Sequence, residues 1–435
     1  MDTGCHRSYE AGIDIVSVIR FFSLARMPAS WAVYDQILVS GANFLSTMLI
    51  AKMLSVDDFA MYSLASLAVL FFSSFQRTLI TQPMNVLGAT ESLSQLSDRY
   101  ISLLRLQRIL IPLAIFFMVL LGTAFFPHVW IVFAACAYLA AFFLQELVRR
   151  FYYTRNKIDL ALHNDLIGYG GQLALLTLIW VCEMHNAALA FFALAFSAII
   201  AFLWGNNAIF RDNLRAAHAP KPVTNVLQEH WRMARWVVLS QFVFWGASQV
   251  YPFMLASWGS FRSVADFNIA VSILNALNIV RLMLGNYLPS RVTRVYAKDG
   301  TIGLRRYLLK LIFLCGGISV FIILTLIISA DWLISLLFGD KYPLAGQIIG
   351  WLAIGQFAAI IGVITNAAAL ALRSTQWIFY ANTVGTVFSL FAGKYLIVTY
   401  GVWGAVAGAG IGASLPALIQ GIQVLYQCRN DNHVK

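Results

Sequence analysis

The chain has 435 residues, of which 60% are hydrophobic and only 11% charged, a balance no water-soluble domain of this length needs. The net charge of +11 does not point to nucleic acid: the bases recur in short loops between apolar segments, the pattern that orients membrane spans. The five cysteines, Cys5, Cys136, Cys182, Cys315 and Cys428, contain no CxxC pair, so neither a disulfide framework nor a zinc site is indicated.

In chain order, residues 1–30 read as a cytoplasmic amphipathic segment lying on the membrane surface. Asp2, Glu10 and Asp14 precede a broken run, Ile15-Val18-Ile19-Phe22, with no long apolar core and no cleavage site. A span needs about 20 mainly apolar residues. Twelve such segments follow, near 31–54, 59–79, 103–125, 128–148, 163–182, 187–208, 236–258, 264–284, 307–329, 347–371, 376–397 and 402–425. The expected organisation is a first six-helix bundle over 31–208, a cytoplasmic linker over 209–235 containing Pro220-Lys221-Pro222, a second bundle over 236–425 and a cytoplasmic tail over 426–435. With both termini cytoplasmic, all 30 Lys and Arg residues except Lys52, Arg262, Lys341 and Lys394 fall on the inner side. The outer loops are short and leave no room for an external catalytic domain.

The two halves echo each other. Ser55-Val56-Asp57-Asp58-Phe59 joins the first two spans, and Ser263-Val264-Ala265-Asp266-Phe267 reads as the matching turn, 208 residues on. Pro83-Met84-Asn85-Val86 has a counterpart at Pro289-Ser290-Arg291-Val292. Two repeats of six spans share one orientation, so an axis along the membrane normal should relate them.

Polar residues within the spans are the candidate site. Gln36, Ser40, Asn43 and Thr47 form a narrow stripe on the first span. Gln241, Trp245, Ser248 and Pro252 occupy the corresponding places on the seventh, with Gln249 alongside. The eighth adds Ser272, Asn275 and Asn278. Such stripes either hydrogen-bond between helices or line a wet cavity, and their occurrence at matched positions favours a shared cavity. Arg77 and Arg281, at the inner ends of spans two and eight, suit a pyrophosphate, because a guanidinium holds phosphate oxygens in a bidentate fork. Arg149 and Arg150 join them as inner-mouth cations; topogenic arginines that snorkel to headgroups are the alternative. Asp35 reads either as a proton or sodium ligand or as a solvated aspartate. Gly404, Gly408 and Gly412 form a small-residue packing face rather than a nucleotide loop. No HExxH, Walker or GxSxG sequence occurs.

Several stretches resemble the polysaccharide transporter (Wzx-type) flippases of the multidrug/oligosaccharidyl-lipid/polysaccharide superfamily. They include Asp35-Gln36, Asn43-Phe44-Leu45, Ala51-Lys52-Met53-Leu54-Ser55, Gln145-Glu146-Leu147-Val148-Arg149-Arg150-Phe151-Tyr152-Tyr153, His230-Trp231-Arg232 and Leu337-Phe338-Gly339-Asp340-Lys341-Tyr342. The resemblance implies an all-α polytopic membrane protein, its twelve transmembrane helices arranged as two six-helix pseudo-repeats forming a V. It implies a non-enzymatic flippase in the bacterial inner membrane that moves an undecaprenyl-pyrophosphate-linked oligosaccharide to the periplasmic leaflet for exopolysaccharide or O-antigen assembly. It implies no cofactor, coupling to a proton or sodium gradient, and as partners membrane lipids and the polymerase and glycosyltransferases of the pathway. A MATE-like cation-coupled multidrug antiporter is the alternative of the same fold. A membrane glycan polymerase or ligase is the alternative of another class.

Overall fold

A computed structural model of the chain describes residues 28–88, 91–125, 129–213, 220–275, 278–372 and 374–430. The expected surface helix at the N-terminus, the linker residues 214–219 and the end of the tail lie outside the described residues. The described residues are helical throughout apart from short turns.

The first half comprises α1 (Pro28–Met53), α2 (Val56–Gln76, continued through a π turn at Arg77–Thr81 into Gln82–Gly88), α3 (Leu93–Phe125), α4 (Val129–Thr154), α5 and α6 (Ala187–Asn213). Helix α5 runs from Ile158–Asp165 through a second π turn, Leu166–Gly170, into Gly171–Val181. The second half comprises α7 (Val223–Ser248), α8 (Tyr251–Trp258), α9 (Phe261–Asn275), α10 (Asn278–Phe338), α11 (Ala345–Ala371), α12 (Thr375–Tyr400) and α13 (Val402–Asn430). Eight of these helices are long and apolar enough to cross a membrane as they stand. The remaining predicted spans fall on α1 with its polar stripe, on α5 with its π turn, on α7 and α8, and on α9 with the start of α10.

Helix α10 has 61 residues, and at 1.5 Å per residue it is far too long for one ~30 Å crossing. It breaks at Gly300, where φ is +63°, a conformation that costs glycine nothing and a side-chain-bearing residue a good deal. The break separates the end of span eight from span nine.

Helix pairing reveals the repeat more clearly than the sequence does. In the first half α1 packs on α5, α2 and α3 on α4, and both α4 and α5 on α6. In the second half α7 packs on α12, α9 and α10 on α11, and both α11 and α12 on α13. Taken span by span, the second set is the first displaced by six.

The echoed turn is not conformationally equivalent in the two halves. Ser55 caps α2, its Oγ accepting from the Asp58 amide at 3.1 Å and donating to the Asp58 carboxylate at 2.7 Å. In the second half the cap lies three residues earlier, where Ser260 Oγ accepts from the Ser263 amide at 3.2 Å. Ser263 is therefore already helical, and Asp266 is carried inside, facing the amides of Leu344 and Ala345 at the start of α11.

The small-residue face on α13 is a packing face. A Cβ at Gly404 would sit 1.9 Å from the Leu396 carbonyl oxygen, and one at Gly408 2.6 Å from the ring of Tyr251. Only glycine lets α13 approach α12 and α8 this closely.

Candidate functional site

The two halves meet along a seam formed by α1 and α2 against α7, α9 and α10. The end that carries the linker is called here the linker side, the other the far side.

On α2, Phe59, Ser63, Ser66, Leu70 and Arg77 follow one another at helical spacing on a single face. Phe59 and Ser63, at the far-side end, are buried; Leu70 and Arg77, nearer the linker side, are exposed. The same face is thus covered at one end and open at the other. The cover comes from the turn between α10 and α11. Lys341 Nζ donates to the carbonyls of Ala51 (2.8 Å), Lys52 (3.1 Å) and Leu54, and the Tyr342 hydroxyl donates to Ala51 at 2.8 Å. Tyr342 also packs edge-on against Phe59, ring centroids 5.8 Å apart. A second-half ammonium therefore satisfies the open carbonyls at the end of a first-half helix, where the helix dipole favours a cation. Burial lowers the pKa of that ammonium.

The first stripe lies along α1. Gln36 Nε2 donates to Ser40 at 2.9 Å and Thr47 Oγ1 to the Asn43 carbonyl at 2.9 Å, while Asn43 itself is exposed. These bonds are all within α1, so among the described residues the stripe does not tie helices together. The second stripe faces differently. Trp245 Nε1 donates to Ser74 Oγ on α2 at 3.0 Å, and Phe71 and Phe75 stack edgewise or tilted on Phe242. Ser248 Oγ bonds the Phe244 carbonyl at 2.8 Å, Gln241 is half-buried, and Pro252 opens α8 beyond the break at Gln249. Trp245 and Gln249 line an apolar cavity of about 280 Å³ shared with α3. Repeat position did not carry over to a common surface: α7 turns Trp245 onto Ser74 of α2, whereas the α1 stripe bonds within its own helix. On α9, Ser272 is half-buried and Asn275 exposed; the side chain of Asn278 lies outside the described residues. Arg281 is half-buried on the first turn of α10.

Asp35 is not solvated. It is fully buried, its Oδ2 2.7 Å from Arg149 Nη2, and it accepts a hydrogen bond from the Tyr153 hydroxyl. Arg149 Nε lies 2.5 Å from Asp165 Oδ2, in contact but out of line for a hydrogen bond, and Nη1 lies 3.5 Å from Glu146. Glu146 also binds Arg150 at 2.6 Å. Arg149 and Arg150 are therefore not open inner-mouth cations: α4 carries Arg149 inward between α1 and α5, where buried carboxylates demand a counter-ion. Arg77 makes no ion pair among the described residues and is exposed, within electrostatic reach of Glu146.

A further polar group ties the linker to the first half. Arg99 holds Glu91 (2.5 and 2.8 Å) and Glu229 (3.0 Å), and its Nη1 lies 3.2 Å from His230 Nε2. His230 Nδ1 lies 3.0 Å from the Leu79 carbonyl in the π turn of α2. Those partners select one neutral tautomer, Nδ1–H donating to Leu79 and Nε2 accepting from Arg99. Burial, helped by the Arg99 charge and opposed by the Leu79 bond, pushes His230 from 6.5 down to about 4.

Comparison with known proteins shows what the chain is similar to. The family model MatE matches residues 237–393. No curated protein sequence matches the chain. Among solved structures, an inward-facing multidrug resistance MATE family transporter of the MOP superfamily is 14% identical, covering 93% of this chain and 99% of that one, with a TM-score of 0.68. The lipid II flippase MurJ in an inward closed conformation is 14% identical, covering 91% and 87%, with a TM-score of 0.67. A MOP superfamily transporter from Pyrococcus furiosus, described by a reverse polarity of its binding pocket, is 14% identical, covering 93% and 95%, at 0.62. The chain therefore has the MOP-type fold of two six-helix pseudo-repeats, and the proteins that share it are transporters and a flippase rather than enzymes.

Proposed function

We propose that this chain is an alternating-access flippase for an undecaprenyl-pyrophosphate-linked oligosaccharide, held in its linker-side-open state, with that side cytoplasmic. The supporting observation is the sign of the charges left on the seam. Asp35 is buried against Arg149 and Asp266 against backbone amides, whereas Arg77 and Arg281 make no ion pair among the described residues. A seam whose open charges are guanidiniums favours an anionic substrate over a cationic one. The sugar head would pass through the polar space beside α1 while the lipid tail stays in the bilayer. Within ion-pair distance, and among the described residues, Asp35, Glu146 and Asp165 share only Arg149 and Arg150. One proton on this group would balance its charge, and we assign gradient coupling to it, with Asp35 as the ligand.

A MATE-like antiporter is the second reading, favoured by the family model over residues 237–393. Proteoliposomes carrying a headgroup-labelled undecaprenyl-pyrophosphate oligosaccharide separate the two. An impermeant quencher should reach the lumenal label faster with protein than without, and Arg77→Ala with Arg281→Ala should slow it about tenfold or more. Translocation equal to protein-free vesicles, with gradient-driven export of a cationic dye, would give the antiporter instead.

A further inference from the structure

Behind the first half, α3, α4 and α6 frame a groove of about 550 Å³ to which the second half contributes no lining. Gln107, Arg108 and Asn206 form a polar band across it, between Leu104 and Phe210 on the linker side and Ile111, Pro112 and Phe202 about one helical turn deeper. Below the polar band the lining is wholly apolar, as an acyl chain requires, and the band itself is where a phospholipid headgroup would be held.

The polar band has donors and an acceptor to offer. Arg108 is exposed and makes no ion pair among the described residues. Asn206 uses its Oδ1 to accept from the Tyr100 hydroxyl at 2.9 Å, which turns its amide nitrogen to other partners. Gln107 is fully buried; its Nε2 makes only a 3.5 Å contact with the Phe143 carbonyl, and its Oε1 meets no donor. An orphaned buried acceptor is costly unless something supplies a proton to it.

We propose that this groove is a binding site for phosphatidylglycerol. Its phosphate answers Arg108 and the Asn206 amide, its glycerol hydroxyl is the donor that Gln107 lacks, and one acyl chain follows Ile111, Pro112 and Phe202. Phosphatidylcholine carries the phosphate but neither the net charge nor a headgroup donor. The site lies away from the seam, so it stands or falls independently of the transported substrate.

Native mass spectrometry of the full chain, taken from bilayers with equal phosphatidylglycerol and phosphatidylcholine of the same acyl chains, tests this. The native protein should retain phosphatidylglycerol preferentially, and Arg108→Gln should reduce that retention about fivefold. Arg105→Gln removes an exposed base on the same helix that does not line the groove, and should leave retention unchanged. Gln107→Leu, which removes the orphaned acceptor, should narrow the preference for phosphatidylglycerol over phosphatidylcholine. Equal retention of phosphatidylglycerol and phosphatidylcholine by the native protein would overturn the proposal. So would full retention in Arg108→Gln, or a loss in Arg105→Gln as large as in Arg108→Gln, which would mark diffuse surface attraction.

Discussion

Lys341 Nζ, from the turn between α10 and α11, donates to the Ala51 carbonyl at the end of α1, 2.8 Å away, across the seam. The two residues are 290 positions apart and belong to different repeats. The contact exists only while the far-side ends of the two halves are together. Any movement that parts them must leave the α1 carbonyls to water and release the ammonium.

Lys341→Ala should therefore loosen the far-side closure without unfolding either half. Charge-assisted hydrogen bonds of this kind contribute about 1–3 kcal/mol, so the closed-to-open ratio should fall by roughly five- to 150-fold. Ser63 is buried beneath the closure and changes little in size as Ser63→Cys. Its labelling by an impermeant maleimide, in a background free of native cysteines, should rise in Lys341→Ala. Unchanged labelling would mean that Tyr342 and Phe59 hold the closure alone.

Arg149 is the shared counter-ion of Asp35, Glu146 and Asp165. Arg149→Ala should cost about 3–5 kcal/mol, because it strands buried carboxylates rather than because the pairs are intrinsically strong. Arg149→Met combined with Asp35→Asn and Asp165→Asn should recover most of that loss, since the charges then leave together. Thermal unfolding in detergent, single against triple variant, decides it. If the triple variant melts as low as the single one, packing around the guanidinium matters more than charge.

The spans were legible because apolar length is a local property: every predicted segment falls on described helix, spans seven and eight each on two, α7 with α8 and α9 with α10. The polar stripes were legible as positions but not as surfaces. Gln241, Trp245 and Ser248 precede the break at Gln249 and Pro252 follows it, and no hydrophobic period announces that break or tells which neighbour each side chain meets. The Arg149 group was missed because its members, Asp35, Arg149 and Asp165, come from three helices, and Arg149, just after span four, reads as an inner-mouth or topogenic cation. A signal was available: Asp165 lies inside the predicted fifth span, and an acid there requires a partner. The echoed Ser55 and Ser263 turns misled for a related reason. Five similar letters do not decide which serine caps, and Ser260 captures the Ser263 amide first.

Tyr251 fills the space that Gly408 leaves on α13. Gly408→Leu should push the ring off that face and separate α8 from α13, at a cost of about 1–3 kcal/mol for overpacking. Gly410→Leu is the matched control, because nothing lies within 4 Å of a Cβ there. The difference in melting temperature between the two variants measures the close approach. Equal melting would remove Gly408 from the packing face.

Acid should loosen the linker from the first half through His230. Its neutral form satisfies both neighbours, with Nδ1–H on the Leu79 carbonyl and Nε2 accepting from Arg99. A proton on Nε2 would point a donor at a guanidinium. The folded pKa, down to about 4, lies below the ordinary 6.5. Between those values the unfolded chain binds more protons than the native one, so stability rises with pH through this window and is lost as pH falls through it. The full difference is about 3 kcal/mol, present above pH 6.5 and gone below pH 4. Hydrogen exchange of residues 223–235 should accordingly quicken between pH 6.5 and 4, after correction for intrinsic rates. His230→Asn offers an amide that does not titrate, so its linker should lack this added acid sensitivity even if it is less stable at neutral pH. Parallel acid profiles in the two proteins would shift the effect to the carboxylates Glu91 and Glu229, which also hold Arg99.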